Sequence, residues 1–210
     1  MQDGVQCLGI TRPRVLVFDL GGVLVDAAGL RALPGLLRAP LSPAELRSKW
    51  LASPSVLQFE TGRCRPHEFA AAFVAEWDLD LDPAQFLVRF RAWVMGPFPG
   101  IPQLLSALGS RYMLACLSNT NIVHWEKVQG MDGVVQAFGH RFVSHEIGLM
   151  KPNPAIYAHV VRELGCGAGE IAFFDDGQEN IDAAAAAGLS AHLTVGPGHL
   201  RSVLTHLGAL

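Results

Sequence analysis

The sequence predicts an α/β fold: a Rossmann-like, doubly wound and mainly parallel sheet that carries a small inserted helical cap. Three observations predict it. Five short runs of β-branched and other apolar residues each stop at a polar or small residue, as strands covered on both faces do. Helical patterns ending in glycine lie between several of them, which indicates strand–helix alternation. One long stretch, 28–93, carries helix signals and no convincing strand.

In chain order, the expected strands are RVLVFD (14–19), YMLACLSN (112–119), RFVSH (141–145), EIAFFDD (170–176) and AHLTV (191–195). IPQLLSALG, NPAIYAHVVRELG and ENIDAAAAAGL have helical spacing and glycine stops. In the insert, Ser42-Pro43-Ala44-Glu45 reads as a capping box with proline at the first helical position, and Asp82-Pro83-Ala84-Gln85 repeats the pattern. RPHEFAAAFVAEW lies between them as a third helix. The insert is bounded by Gly29 and by GPFPG (96–100), which are the expected hinges. The expected division is a core of 14–27 and 94–210, a cap of 28–93 and a flexible lead-in of 1–13. A module inserted after the first strand sits above the carboxyl ends of the strands, where open α/β sheets bind ligands.

The chain has 210 residues, half of them hydrophobic and 17% charged, which is enough for a sizeable core. Mean hydropathy is +0.28, yet no run approaches the roughly 18 apolar residues that span a bilayer. The start MQDGVQCLGITRPR has an early acid and no apolar h-region, so no signal peptide is expected. A net charge of −3 with scattered basic residues offers nucleic acid no attraction. Cys7, Cys64, Cys116 and Cys166 form no C-x-x-C pair and read as reduced thiols of a cytoplasmic protein. His140, His145 and Glu146 lack a third metal ligand at sensible spacing, so surface histidines are expected there.

The polar residues at the strand ends form a set. They are Asp19 from the first strand, Ser118 and Asn119 from the second, and Asp175 and Asp176 from EIAFFDD; Lys151 stands before a helix on the same rim. Any one of them has an ordinary structural alternative: Ser118 could cap the helix starting near Asn121, and the paired aspartates could cap the next. Together they make a different object. Three carboxylates brought close repel one another unless a cation or shared proton offsets them. All-oxygen ligation suits Mg²⁺, which also binds substrate phosphate. A carboxylate beside metal and lysine is a plausible nucleophile towards phosphorus.

Asp19 in FDLGGVLVD, Ser118-Asn119 in CLSNTN, Lys151 in GLMKPNPAIY and Asp175-Asp176 in FFDDGQENIDAAAAAGL resemble, in order, the four motifs of the haloacid dehalogenase superfamily. The helical insert is similar to the cap of its first subclass, and the LSNTN, KP-x-x-AIY and FFDD-x-x-x-N runs look closest to the branch of the α-D-glucose-1-phosphate phosphatases. The resemblance implies a Mg²⁺-dependent phosphatase. Asp19 would carry the phosphoryl group, and Ser118 with the Asn119 N–H would hold phosphate oxygens. Lys151 would neutralise charge. Asp19, Asp176 and the Gly21 carbonyl would ligate Mg²⁺, with Asp175 acting directly or through water and Asn180 steadying the loop. The expected partner is a small phosphorylated metabolite, a sugar phosphate being one candidate, with no nucleic acid and no membrane; the chain is expected to be a monomer or homodimer.

Gly21 departs from that superfamily, whose phosphatases mostly carry a second aspartate there to protonate the leaving alcohol and activate water. A well-placed general acid or base contributes roughly 10²–10⁴-fold. Glu60 and His67, in and near FETGR (59–63) of the insert, are the replacement candidates, and Trp50 is a third residue that could face the substrate. Two other readings remain: 2-haloacid dehalogenation, which needs neither that acid nor a metal, and a low-activity binding or regulatory protein on the same fold. The paired aspartates argue against the first, and the intact nucleophile and lysine against the second.

Overall fold

The computed structural model describes residues 13–210, so the expected lead-in 1–13 lies almost wholly outside the described residues. Its centre is a run of apolar residues that the sequence marks plainly. Strand β1 (Val15–Phe18) is buried at every position because it is sandwiched between two helical layers. Side chains alternate across a strand. Leu16 and Phe18 therefore join one apolar cluster, and Val15 and Val17 join another on the opposite face.

The remaining strands are β2 (Val25–Ala27), β3 (Val94–Pro97), β4 (Met113–Ser118), β5 (His140–Val143), β6 (Ile171–Asp175) and β7 (Ser190–Leu193). Five of them form one sheet in the order β5-β4-β1-β6-β7, and every pairing in it is parallel. The chain moves outward from β1 on one side, then crosses back to build the other. Its direction of winding thus reverses at β1, the place where open α/β sheets leave a crevice above the carboxyl ends. Helices α5 (Ile101–Gly109), α6 (Ile122–Gln129) and α10 (Gly196–His206) cover the Leu16/Phe18 face, and α8 (Pro154–Leu164) with α9 (Gln178–Ala186) covers the other. A single turn, α7 (Ser144–Ile147), follows β5; the RFVSH run expected as strand to 145 bends into it after Val143.

Between β2 and β3 stand four helices: α1 (Pro43–Leu51), α2 (Pro54–Glu60), α3 (Pro66–Glu76) and α4 (Pro83–Arg91). Each has proline in its first turn. The capping box at α1 is complete: Ser42 Oγ accepts from the Glu45 N–H, and Glu45 accepts from the Ser42 N–H. At α4 only the forward half forms, with Asp82 accepting from the N–H groups of Ala84 and Gln85. These helices bury a cluster of their own rich in aromatic rings, including Phe59 stacked on Phe69 and Phe73 on both Trp77 and Phe86.

Further features differ from the sequence reading, among them helix α10, whose Gly-Pro-Gly opening gives no helix signal. Strands β2 and β3 pair antiparallel, joining the two ends of the helical segment in a short ribbon. Asp26 pairs with Gly96 in it and also meets Arg31. Helix α2 is an additional element, capped by Ser53, and it makes the first part of FETGR helical. No helix among the described residues is long and apolar enough to cross a membrane.

Candidate active site

Asp19 extends β1 by one residue, and its N–H donates to the Phe174 carbonyl at 2.8 Å, continuing the ladder to β6. This fixes the carboxylate at the sheet rim, where it is nearly buried. Lys151 is the charged side chain that reaches it. Its ammonium donates to Asp19 Oδ1 at 2.9 Å and to Asp175 Oδ2 at 2.5 Å, with the lysine only 2% exposed. Burial alone would lower the lysine's pKa, but the two carboxylates more than reverse that, so it stays an ammonium at any physiological pH.

The surrounding groups hold this pair in place. Asp175 Oδ1 accepts from the Gly177 N–H and from Asn180 Nδ2, each at 2.8 Å. The Asn119 carboxamide clamps the backbone of Lys151: Nδ2 donates to its carbonyl and Oδ1 accepts from its N–H, both at 2.8 Å. Ser118, the last residue of β4, is buried beside them. Thus Asp19, Ser118, Asn119, Lys151, Asp175 and Asp176 come together at one rim, as the strand-end reading expects, and Asn180 from α9 joins them through Asp175. Carboxylate oxygens of Asp19, Asp175 and Asp176 all lie within 4.8 Å of one another. Asp175 is engaged by Lys151, Gly177 and Asn180, so Asp19 and Asp176 are the freer donors.

The electrostatics fit a hard cation. Burial pushes Asp19 up to about 7 against the pull of Lys151, and Asp175 and Asp176 add to the rise. Asp176 is raised as well, by partial burial and by Asp175. Carboxylates that resist ionising side by side are what a divalent ion with oxygen ligands relieves. The backbone leaves room for that: Gly22 has φ +74° and packs so close to Asp176 that a side chain there would strike the carboxylate. At Gly21, by contrast, a Cβ would meet only Ala27 Cβ at 3.9 Å, so space does not explain the missing acid.

Two cavities flank this cluster. The more polar one, of about 240 Å³, is lined by Asp19, Lys151, Asp176, Asn180, Arg47 and Glu179, together with Leu30, Leu51 and Met150. An apolar one of about 160 Å³ reaches under the helical segment past Gly21, Ser118, Trp93, Val94, His124 and Val128. Gly29, Trp50, Glu60 and Asn119 border both. Glu60, the last residue of α2, is 7% exposed and lies between the chambers; burial pushes it up to about 7.

The chain belongs to the haloacid dehalogenase-like hydrolases. The family model matches residues 13–188, most of the chain. Among curated proteins, it is 26% identical to D-ribitol-5-phosphate phosphatase of Bacteroides thetaiotaomicron over 79% of this chain and 84% of that one. It is 25% identical to a sesquiterpene phosphatase of Aspergillus oryzae over 86% of this chain and 90% of that one. Among solved structures, a haloacid dehalogenase-family enzyme of Bacteroides thetaiotaomicron, in complex with magnesium and inorganic phosphate, superposes with a TM-score of 0.69 at 24% identity, covering 87% and 94% of the two chains.

Within this hydrolase, one sequence-predicted residue falls outside the site. His67 is exposed in the first turn of α3 and borders neither cavity, while Phe69, Ala70 and Phe73 bury that helix. His145, expected at the surface, has both ring nitrogens buried without a hydrogen-bond partner among the described residues. Arg47, Trp93 and His124 are site residues that the sequence pattern did not single out. Arg47 on α1 reaches across to Glu179 on α9 and overhangs the Asp176 loop, a contact between distant segments that leaves no local signature.

Proposed function

We propose that this hydrolase is a Mg²⁺-dependent phosphatase that acts on a small phosphorylated metabolite through an aspartyl-phosphate on Asp19, with residues 28–93 serving as a cap. The observation that carries the reading is the buried Lys151 ammonium bridging Asp19 and Asp175, with Asp176 at the open side of the same cluster. Lys151 holds Asp19 Oδ1, which leaves the second oxygen to attack phosphorus. The bond from phosphorus to the leaving oxygen then breaks, and that oxygen takes a proton. Water next attacks the aspartyl-phosphate, releasing inorganic phosphate and restoring the carboxylate. Ser118 Oγ and the Asn119 N–H hold phosphate oxygens, and Asn119's side chain keeps Lys151 in register. Mg²⁺, held by Asp19, Asp176 and the Gly21 carbonyl, would offset the charge of the carboxylates and of the transferring phosphoryl group. Asp175 acts through Lys151 and the loop at Gly177 and Asn180.

Glu60 supplies the proton that an aspartate at position 21 would otherwise give. It is buried, it borders both chambers, and a carboxyl kept protonated near neutrality suits a general acid. The relatives support a phosphatase without choosing the alcohol, since their names point to a sugar-alcohol phosphate in one case and a sesquiterpene in the other. A cytoplasmic location and a monomeric or dimeric state belong to the same proposal.

The test is a panel of phosphate monoesters, with chloroacetate alongside, assayed with and without Mg²⁺ for the wild type and Asp19→Asn. The expected result is Mg²⁺-dependent phosphate release that Asp19→Asn lowers by about 10³-fold or more. An acid-quenched phosphopeptide should contain Asp19. Unchanged hydrolysis in Asp19→Asn would overturn the nucleophile. Metal-free chloride release would point to dehalogenation, and silence on every substrate to a binding role.

A further inference from the structure

The apolar chamber carries information about the alcohol. This inference rests on the phosphatase reading, because that reading places the phosphate among Asp19, Lys151 and Asp176. Gly21 stands in the wall of the other chamber, together with Ser118 and Asn119. The position from which superfamily phosphatases protonate the leaving oxygen therefore faces the apolar chamber. The group beyond that oxygen points into it.

We propose that the ester cleaved by this enzyme has an apolar leaving group about the size of a six-membered ring, seated between Trp50, Trp93, Val94 and Val128, and is not a sugar or polyol phosphate. Size is the first support. The chamber holds about 160 Å³, and an engineered apolar cavity of about 150 Å³ accepts benzene.

Hydrogen bonding is the second support. Most polar groups that border the chamber are already engaged with the protein. The Asn119 carboxamide is bonded at both ends to the Lys151 backbone. His124 Nε2 lies 2.7 Å from the Phe90 carbonyl and Nδ1 lies 3.3 Å from Asn121 Nδ2, so the ring offers its face and edges only. That ring is stacked on Phe90, and burial pushes its pKa down to about 4, so it is neutral. The backbone N–H and carbonyl of Thr120 both bond Ser144 Oγ. With Ser118 assigned to phosphate, the side-chain groups that remain among the described residues are the Glu60 carboxyl, the Thr120 hydroxyl and the indole N–H groups of Trp50 and Trp93, mostly donors and too few for a polyol's hydroxyls. A hexose or pentitol brings several hydroxyls, and each one left unpaired in a dry site lowers affinity about 5- to 150-fold.

Gly21 is consistent with this chamber. An aspartate there would place a carboxylate against apolar walls, whereas Glu60 at the neck donates from the edge.

The experiment compares esters of ordinary alcohols so that leaving-group basicity is not the variable. With Mg²⁺, kcat/KM is measured for cyclohexyl phosphate, glycerol 3-phosphate and glucose 6-phosphate. Cyclohexyl phosphate should exceed both polyol esters by about 100-fold, in line with what a hydrophobic pocket discriminates. Val94→Thr and Val128→Thr keep the shape but put a hydroxyl into the wall, and each should narrow that ratio about 10-fold; melting curves confirm that both variants fold. Calorimetry with cyclohexylmethylphosphonate and 2,3-dihydroxypropylphosphonate reads the chamber without turnover, and the apolar phosphonate should bind more tightly. Polyol esters cleaved as well as or better than cyclohexyl phosphate would overturn the chamber proposal and leave the phosphatase standing. Absence of turnover on every ester would overturn the phosphatase reading; the phosphonates would then decide the chamber alone, with equal or weaker binding of the apolar one overturning it.

Discussion

Replacing Glu60 by glutamine removes an ionisable group from the neck between the chambers while keeping its shape. In the folded metal-free protein, burial lifts this carboxyl from 4.5 to about 7, with a smaller contribution from Asp19 and an opposing one from Lys151. A folded-state pKa above the unfolded value means that the native state holds the proton more tightly. The associated stability is fully present below about pH 4.5 and is lost as pH rises through about 7. The full span is about 2.5 decades, or about 3 kcal/mol at 1.36 kcal/mol per decade. Between pH 5 and pH 8.5 the linkage relation gives about 2.5 kcal/mol, because part of the loss has already occurred at pH 5. The assay is urea unfolding with chelator present, followed by tryptophan fluorescence, for wild type and Glu60→Gln at both pH values. Relative to the variant, the wild type should lose about 2.5 kcal/mol on going to pH 8.5. The double difference isolates Glu60 from Asp19, which titrates in both proteins. If the two proteins keep the same stability gap within about 0.5 kcal/mol at both pH values, Glu60 is not a buried acid and its catalytic assignment fails with it.

In a Glu60→Gln background, which lacks the proposed acid, Gly21→Asp has the space it needs and should recover kcat on an alkyl phosphate by about 10-fold or more, towards the usual range for a general acid, measured by phosphate release. No gain on a poor leaving group would remove the support for a missing acid. Gly22→Ala forces a side chain against the Asp176 carboxylate at a positive φ, and should cost about 1–3 kcal/mol of stability and weaken Mg²⁺ binding, read by urea unfolding and by calorimetry. Arg47→Ala breaks an ion pair that is largely solvated, so stability should change by less than about 1 kcal/mol, while KM rises several-fold because the guanidinium borders the phosphate chamber.

The sheet was legible in the sequence because each central strand is buried on both faces, so its apolar run is almost unbroken and its polar terminus stands out. That is why RVLVFD and EIAFFDD mark β1 and β6 within a residue at each end. The β2–β3 ribbon was not legible. Its strands are three and four residues long, and Gly96 and Pro97 in β3 argue locally against a strand; only pairing with a partner about 70 positions away makes them one. Helix α2 is hidden by its length of seven residues, too short to show a period. Helix α10 is hidden by its Gly-Pro-Gly opening, which reads as a turn.

The site divides along the same physical line. Asp19, Ser118 and Asp176 sit at strand ends and Lys151 in the turn before α8, where chain order maps directly onto position, so they could be read together. Residues of the inserted helices depend on helix rotation and tilt, which the chain order does not encode, and so Glu60 borders the site while His67 does not. Charge explains why the arrangement tolerates glycine at position 21. Three carboxylates against one ammonium leave two negative charges in a cluster that is buried at Asp19 and Asp175 and open at Asp176. One divalent cation would balance them, and with Asp19 ionised the proposed nucleophile would be available. A fourth carboxylate at position 21 would leave an uncompensated charge beside apolar walls, where solvation cannot offset it. Glu60 avoids that cost because burial keeps it protonated until about pH 7, so an acid can stand next to the leaving group without adding to the charge that the cation must balance.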